Sequence, residues 1–568
     1  MVATFLLAVP LLAGPAEASR DVLDRVALRE VLRQEARASA SGPTPLPLLP
    51  EATRASSAAA KRELASLAAE DDAARLLVGV RSHADLNEVA ASLRRLGAEP
   101  EAFEGIGVVA ARVPSAAAAV ARLGDDPRVA YVERDRAVRL AADPFDVIDL
   151  GTGIKYTWAY DAVRAGEALA AAGGGSGRTI AVLDTGLDLA HPEFVGRVER
   201  TFDTATGGQD VTDLVGHGTF VTGLINAIDG NGIGGKGVAG ATNVMVVRGS
   251  IDGGFAVRDL LRGMQFAVER GADVLNLSLA GVGFSRSQAR ALDGAFVNDV
   301  LPVAASGNSG DQGNPLEFPA ALLGGERGGK GTGLSVAATT PGGTAAYFSN
   351  HNPYVSVAAP GAGASGCQFG VFSTLPAIPG DWDRPDSCSQ LFSQGPSRFG
   401  YGEGTSFAAP IAAGIAALVW QVEPRLASEQ VADVIVRSAR QTRGTGWNEF
   451  TGAGLVDGQA ATALARTYDV DAPRVRARAR RGGNTISARV TRSRDRTAPG
   501  RELAGRVRYS LLVSRDGGRS YSVAVGWRRR PFSKTVQIKG RRANVLVAAA
   551  CDGNGNCDVR RLGRFTRR

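Results

Sequence analysis

Between residues 75 and 139 the apolar positions alternate between short runs and helical spacing. Leu76-Leu77-Val78-Gly79-Val80 predicts a strand. Leu86, Val89, Leu93 and Leu96 then recur every three or four residues, predicting a helix with Asp85 as N-cap and Gly97 as its stop. A strand near 101–103, another over 106–111, a helix over 115–123 and a strand over 129–133 complete a small two-layer β-α-β-β-α-β unit.

From about 145 to 465 the texture changes to near-continuous apolar runs separated by helical stretches. Thr179–Asp184, 244–247, 274–278, 301–305 and 334–338 are rich in Val, Leu, Ile and Ala. Runs apolar on both faces predict a mostly parallel sheet flanked by helices, an α/β fold. Functional groups in such sheets gather beyond the carboxyl ends of the strands. Asp184 ends one run, Ser278 another, and Asn308 lies just past a third. After Asp471 arginines alternate with apolar residues (Arg474-Val475-Arg476-Ala477-Arg478) and turns such as Asp516-Gly517-Gly518 intervene, predicting a small all-β sandwich over 471–568.

Composition adds a bounded amount. The chain has 568 residues, 44% hydrophobic and 21% charged, an ordinary globular mix spread over several domains. Residues 1–18 form a short apolar run ending in Ala16-Glu17-Ala18, which fits a signal peptide, so a secreted, extracellular protein is expected. Residues 19–74, rich in Ala, Arg and Pro, read as a leader. No later stretch reads as about 18 uninterrupted apolar residues, so no membrane anchor is expected. The net charge of +8 conceals an asymmetry: residues 471–568 hold 26 basic and 6 acidic side chains, leaving −12 on the remainder. A tail of +20 could attract anionic surface polymers or simply keep a spacer soluble. The four cysteines fall into two close pairs, Cys367/Cys388 and Cys551/Cys557, which suit two local disulfides in an oxidising compartment.

Three neighbourhoods carry candidate chemistry. Val182-Leu183-Asp184-Thr185-Gly186 places a carboxylate at a strand end, where it can orient an imidazole. Gly216-His217-Gly218-Thr219 sets one of only four histidines between glycines, with room for other groups to approach the ring, as a general base requires. Gly402-Glu403-Gly404-Thr405-Ser406-Phe407-Ala408-Ala409-Pro410 opens an apolar helix with a serine. Its hydroxyl can attack a carbonyl while its amide, in the unpaired first turn, holds the oxyanion.

These three segments resemble the Asp, His and Ser blocks of the subtilisin-like serine peptidases, in that family's chain order, an order for which subtilisin is itself a standard example. The resemblance implies a serine endopeptidase with Asp184, His217 and Ser406 as its triad, Ser406 the nucleophile and His217 its base. The segment 303–309 is similar to the family's oxyanion block, which makes Asn308 a side-chain donor to the tetrahedral intermediate. Ser278, Leu279, Ala280 and Gly281 resemble the edge that pairs with substrate backbone, and Gly313 would form the floor of a pocket for large apolar P1 residues. Residues 75–139 resemble the inhibitory pro-domain, so the chain's partners are polypeptide substrates and its own pro-domain, with self-cleavage expected between Arg139 and Asp149 in a monomeric precursor.

The chemistry requires no cofactor. Structural calcium is frequent in the family, yet no ligand run near the catalytic domain stands out. Asp552-Gly553-Asn554-Gly555-Asn556-Cys557-Asp558 alternates oxygen ligands, which a disulfide-closed turn explains as well, so metal sites stay open. The chain departs from the family pattern at Thr222, where a small residue is usual, and at Phe407, where Met is common. An esterase reading is disfavoured because Gly404-Thr405-Ser406-Phe407-Ala408 lacks the second glycine of a nucleophile elbow. An inert scaffold reading is disfavoured because all four catalytic positions are filled.

Overall fold

The structure is a computed structural model. It describes residues 73–140 apart from 125 and 136, 158–363 apart from 232, 370–379, 392–394, 397–493 apart from 443 and 445, 501, 506–515, 520–539 and 543–566, with short stretches at 6–8, 26–27 and 29–31. The chain divides into two units, one of residues 136–466 and one of residues 1–135 with 467–568. Most of the expected signal peptide, most of the leader, the self-cleavage region beyond 140 and both Cys367 and Cys388 lie outside the described residues.

The unit formed by the chain's two ends holds two folded bodies. In the first, β1 (Ala74–Val80), α1 (Leu86–Arg94), β2 (Glu99–Phe103), β3 (Val108–Val113), α2 (Ala116–Leu123) and β4 (Val129–Arg134) follow one another in the expected order. The antiparallel sheet runs β2-β3-β1-β4. Leu76, Val78 and Val80 from the sheet meet Val89 and Leu93 of α1 and Ala116, Ala119 and Leu123 of α2 in one core. Ser115 caps α2, its hydroxyl accepting the Ala118 amide at 3.1 Å.

The second body is all β. Arg476–Gly482, Thr485–Thr491 and Phe532–Gln537 form one sheet; Ser520–Arg528, Arg508–Ser514, Asn544–Cys551 and Cys557–Phe565 form the other, with Leu6–Ala8 along its edge. Alternation decides which side chains face inward. Ala477, Ile486, Ala488 and Val490 meet Tyr509, Leu511, Leu546 and Ala548 in a shared core, while Arg476, Arg478, Arg480 and Arg489 are exposed. Cys551 and Cys557 are disulfide-bonded, closing the turn between the last two strands.

In the remaining unit, β5 (Ala137–Leu140) is followed by β6 (Thr179–Asp184), β7 (Val198–Asp203), α3 (His217–Asn226), β8 (Asn243–Arg248), β9 (Gly254–Ala256), α4 (Val257–Glu269), β10 (Val274–Leu277) and β11 (Leu279–Val282). After these come α5 (Arg286–Val297), β12 (Leu301–Ala305), β13 (Glu317–Phe318), β14 (Leu334–Thr339), β15 (Val357–Pro360) and α6 (Thr405–Val422). Seven strands make one sheet in the order β15-β14-β12-β10-β6-β8-β7, every pair parallel. β6, β10, β12 and β14 are buried along their whole length.

Helix α6 belongs to the protein interior. Its 18 residues are long and apolar enough to cross a membrane, but 89% of them are buried inside this unit, where the helix lies against the sheet as a core element. Its apolar run is therefore accounted for by the protein interior.

Leu546 is fully buried in the sandwich core. Replacing it with alanine should cost about 2–5 kcal/mol, read as a lower thermal midpoint of the unfolding transition that contains this domain.

Candidate active site

Asp184 is the last residue of β6, and His217 is the first of α3. Two glycines let these elements meet. A Cβ on Gly218 would stand 2.2 Å from the Gly186 carbonyl oxygen, and Gly186 itself has φ +120°. The close approach brings the His217 Nδ1 to 2.7 Å from Asp184 Oδ1, with both residues fully buried. The same oxygen accepts the Thr185 amide at 2.8 Å. An acceptor opposite Nδ1 fixes the hydrogen there and leaves the lone pair on Nε2, which is buried and has no hydrogen-bond partner among the described residues.

The turn that delivers His217 is tied by a residue that sequence reading missed. Asp213 is buried and accepts from the Thr185 hydroxyl, the amides of Val215, Gly216 and Thr219, and the Thr219 hydroxyl, at 2.7–3.1 Å. It links the Asp184 loop to the first turn of α3. Its only sequence signal is an Asp four residues before the histidine. The region after β15 contributes a strand, Val371–Leu375. There Ser373 and Thr374 donate to the carbonyls of Phe220 and Thr219 at 2.7 and 2.8 Å, which holds α3 from the other side.

Ser406 is the second residue of α6. Pro410, four residues on, has no N–H for the Ser406 carbonyl, and the Ser278 hydroxyl takes that place at 2.6 Å. The Ser406 hydroxyl in turn donates to the Ser278 carbonyl at 3.1 Å. The His217 ring lies 5.5 Å from that of Phe407, centroid to centroid, so Phe407 fills the space beside the imidazole. Thr222, the other departure from the family pattern, has a buried hydroxyl with no partner among the described residues, and nothing in the structure explains it.

Asn308 lies just beyond β12. Its Oδ1 accepts the Thr405 amide and hydroxyl at 2.9 and 2.8 Å, which turns the NH₂ group away from Thr405 and leaves it unengaged by that residue. Thr405 therefore sets the orientation of an amide that sequence reading singled out without its orienting partner.

The expected substrate edge is β11. Leu279 and Ala280 pair antiparallel with Leu140 and Arg139 of β5, whose other edge pairs with β9. Gly281 instead pairs with Phe318 on the opposite side. Gly313, the expected pocket floor, is exposed, with φ +89° and open space where a Cβ would stand. Glu317, in β13, is the buried residue that stands near Asn308. The Ser309 hydroxyl donates to its Oε1 at 2.8 Å, and burial pushes its carboxyl above the usual range.

One more carboxylate was not singled out from sequence. Glu193 is fully buried, its Oε1 has no partner among the described residues, and its Oε2 accepts from the Asn231 amide at 3.0 Å. Burial raises its pKa to about 7.

Comparison with known proteins agrees with this arrangement of elements. The subtilase family model matches residues 175–454. The chain is 30% identical to a thermophilic serine proteinase of Bacillus sp. (strain AK1) over 57% of its own length and 72% of the relative's. It is 31% identical to the M-protease of Shouchella clausii (strain KSM-K16) over 59% of its own length and 75% of the relative's. Among solved structures, fervidolysin from Fervidobacterium pennivorans, a keratinolytic enzyme related to subtilisin, aligns with a TM-score of 0.55 at 19% identity, covering 88% of this chain and 92% of that one, a likeness of fold. The chain belongs to the subtilase family and is a serine endopeptidase.

Proposed function

We propose that the chain is a self-processed endopeptidase in which Asp184, His217 and Ser406 form the catalytic triad. The observation that carries the reading is the buried 2.7 Å contact between Asp184 and His217, at the same carboxyl edge of the sheet as Ser406 and Asn308. His217 Nε2 takes the Ser406 proton as the hydroxyl attacks the substrate carbonyl, then returns it to the leaving amine; Asp184 holds the tautomer and stabilises the imidazolium. Before attack the Ser406 hydroxyl must leave the Ser278 carbonyl and turn toward Nε2. The Asn308 NH₂ and the Ser406 amide donate to the oxyanion of the tetrahedral intermediate, and water later attacks the acyl-enzyme with His217 again as base.

Substrate binds by adding a strand between β9 and β11, which offer backbone groups to it from both sides. The segment β5 occupies that place within this chain. Its register sets Leu140 opposite Leu279, the residue next to Ser278. This supports residues 75–139 as an inhibitory pro-domain whose tail is cut by the enzyme itself before Asp149. Export from the cell and a monomeric state complete the reading. The exposed arginines of the tail sandwich, among them Arg478 directly opposite Arg489, suit contact with anionic surface polymers.

Calcium is the ion that the family resemblance implies. Glu193 fits such an ion, because a buried carboxylate oxygen without a hydrogen-bond partner calls for a cation. Glu193 and Asn231 would hold it, and it would brace the 228–236 segment that follows α3. The ion would serve stability and take no part in the chemistry.

Two predictions follow from this reading. The native precursor should lose its pro-segment and cleave a long peptide, whereas Ser406→Ala should stay at full mass and inert; Asn308→Ala should process slowly, with kcat lowered about 10²–10³-fold, the loss known for the corresponding donor in subtilisin. Intact mass and peptide hydrolysis read both. Added calcium should raise the thermal midpoint of the native chain and leave that of Glu193→Gln unchanged, read by thermal unfolding with and without a chelator.

A further inference from the structure

Glu317 is a charged group that the proposed mechanism does not use. It is more than nine-tenths buried, and no Lys, Arg or His is paired with it among the described residues. Its polar neighbours are the Ser309 hydroxyl, at 2.8 Å from Oε1, and the side-chain amide of Asn350. That amide is shared, since Asn350 Nδ2 also donates to the Pro315 carbonyl at 2.8 Å and its Oδ1 accepts the Ser309 amide at 2.6 Å. Neutral donors offset only part of the cost of burying a carboxylate, which is why burial prevails and holds its carboxyl above the usual range.

Its position says what could supply the missing charge. β13 runs antiparallel to the far end of β11, with Glu317 opposite Val282. Its carboxylate lies against the backbone of residue 307, between β12 and Asn308: a Cβ there would stand 2.4 Å from Oε2, so only glycine leaves room for the carboxylate in this place. Gly307 also donates its amide to the Thr405 hydroxyl at 3.2 Å, one residue from Ser406. A substrate strand laid along β11, with its reacting carbonyl between Ser406 and Asn308, sends the side chain of the acylated residue between the 278–282 edge and the 305–308 wall. On that path it would run toward the Glu317 carboxylate, which lies beside Gly307.

On the reading of the site as a serine endopeptidase, we infer that Glu317 sets the P1 specificity of this enzyme and selects a basic residue, Lys or Arg, whose cation pairs with its carboxylate. The ion pair forms only when substrate is bound, so the carboxylate stays without a cation in the free enzyme. A long basic side chain suits the pocket in another way, since its methylene stem can lie along apolar surface while the head reaches the acid.

The test is the P1 profile of the processed full chain on peptides identical except at P1. Lys and Arg should exceed Leu and Phe in kcat/KM by about tenfold or more, the scale of a desolvated charge pair. Glu317→Gln keeps an acceptor for Ser309 and should lower kcat/KM for basic P1 about tenfold while leaving Leu and Phe unchanged or improved. A native preference for Leu or Phe overturns the inference whether or not the variant folds. An equal loss on every P1 in Glu317→Gln overturns it as well, by making Glu317 a purely structural group. Cleavage of no peptide at all by the native chain, with the precursor unprocessed, removes the endopeptidase reading along with it.

Discussion

A parallel sheet buried on both faces can carry polar chemistry at only one place, the edge where its strands end and its helices begin. β6, β10 and β12 are inaccessible along their length, so polar groups at or just past their ends are confined to that edge. Asp184, Ser278 and Asn308 are among those groups. The helices that open there, α3 and α6, present His217 and Ser406 in their first turns, where backbone amides are unpaired. Everything proposed for the chemistry depends on those helix starts being held against those strand ends.

The holding is done by backbone proximity and by oxygen acceptors. Gly186 and Gly218 allow main chains to touch, and Asp213 gathers five donors from the loop after β6 and the turn before α3. At the other helix, Pro410 frees the Ser406 carbonyl for Ser278, and Thr405 anchors Asn308 by its oxygen. The proline and the two threonines in the motifs thus have mechanical reasons to be there. They fix the angles at which the reactive groups meet without touching substrate.

Much of this was legible from sequence because it is local. The strand runs, the helix starts and the order of elements in 74–134 follow from periodicity, and the triad candidates follow from short motifs that one segment contains whole. Contacts that join distant segments were not legible. Asp213 lies in an ordinary loop, Glu193 sits in a turn that offers no spacing pattern, and Glu317 is set apart from Asn308 by a loop whose path decides which residue points inward.

The measurement that bears most directly on the central claim is covalent labelling of the processed enzyme with a fluorophosphonate, followed by peptide mapping. A serine activated by a buried Asp–His pair reacts with such a reagent, while an ordinary helix-capping serine does not. The proposed assignment predicts one adduct, on the peptide carrying Ser406, lost in His217→Ala with the fold retained. Labelling at another serine, or equal labelling of Ser406 with and without His217, would contradict it.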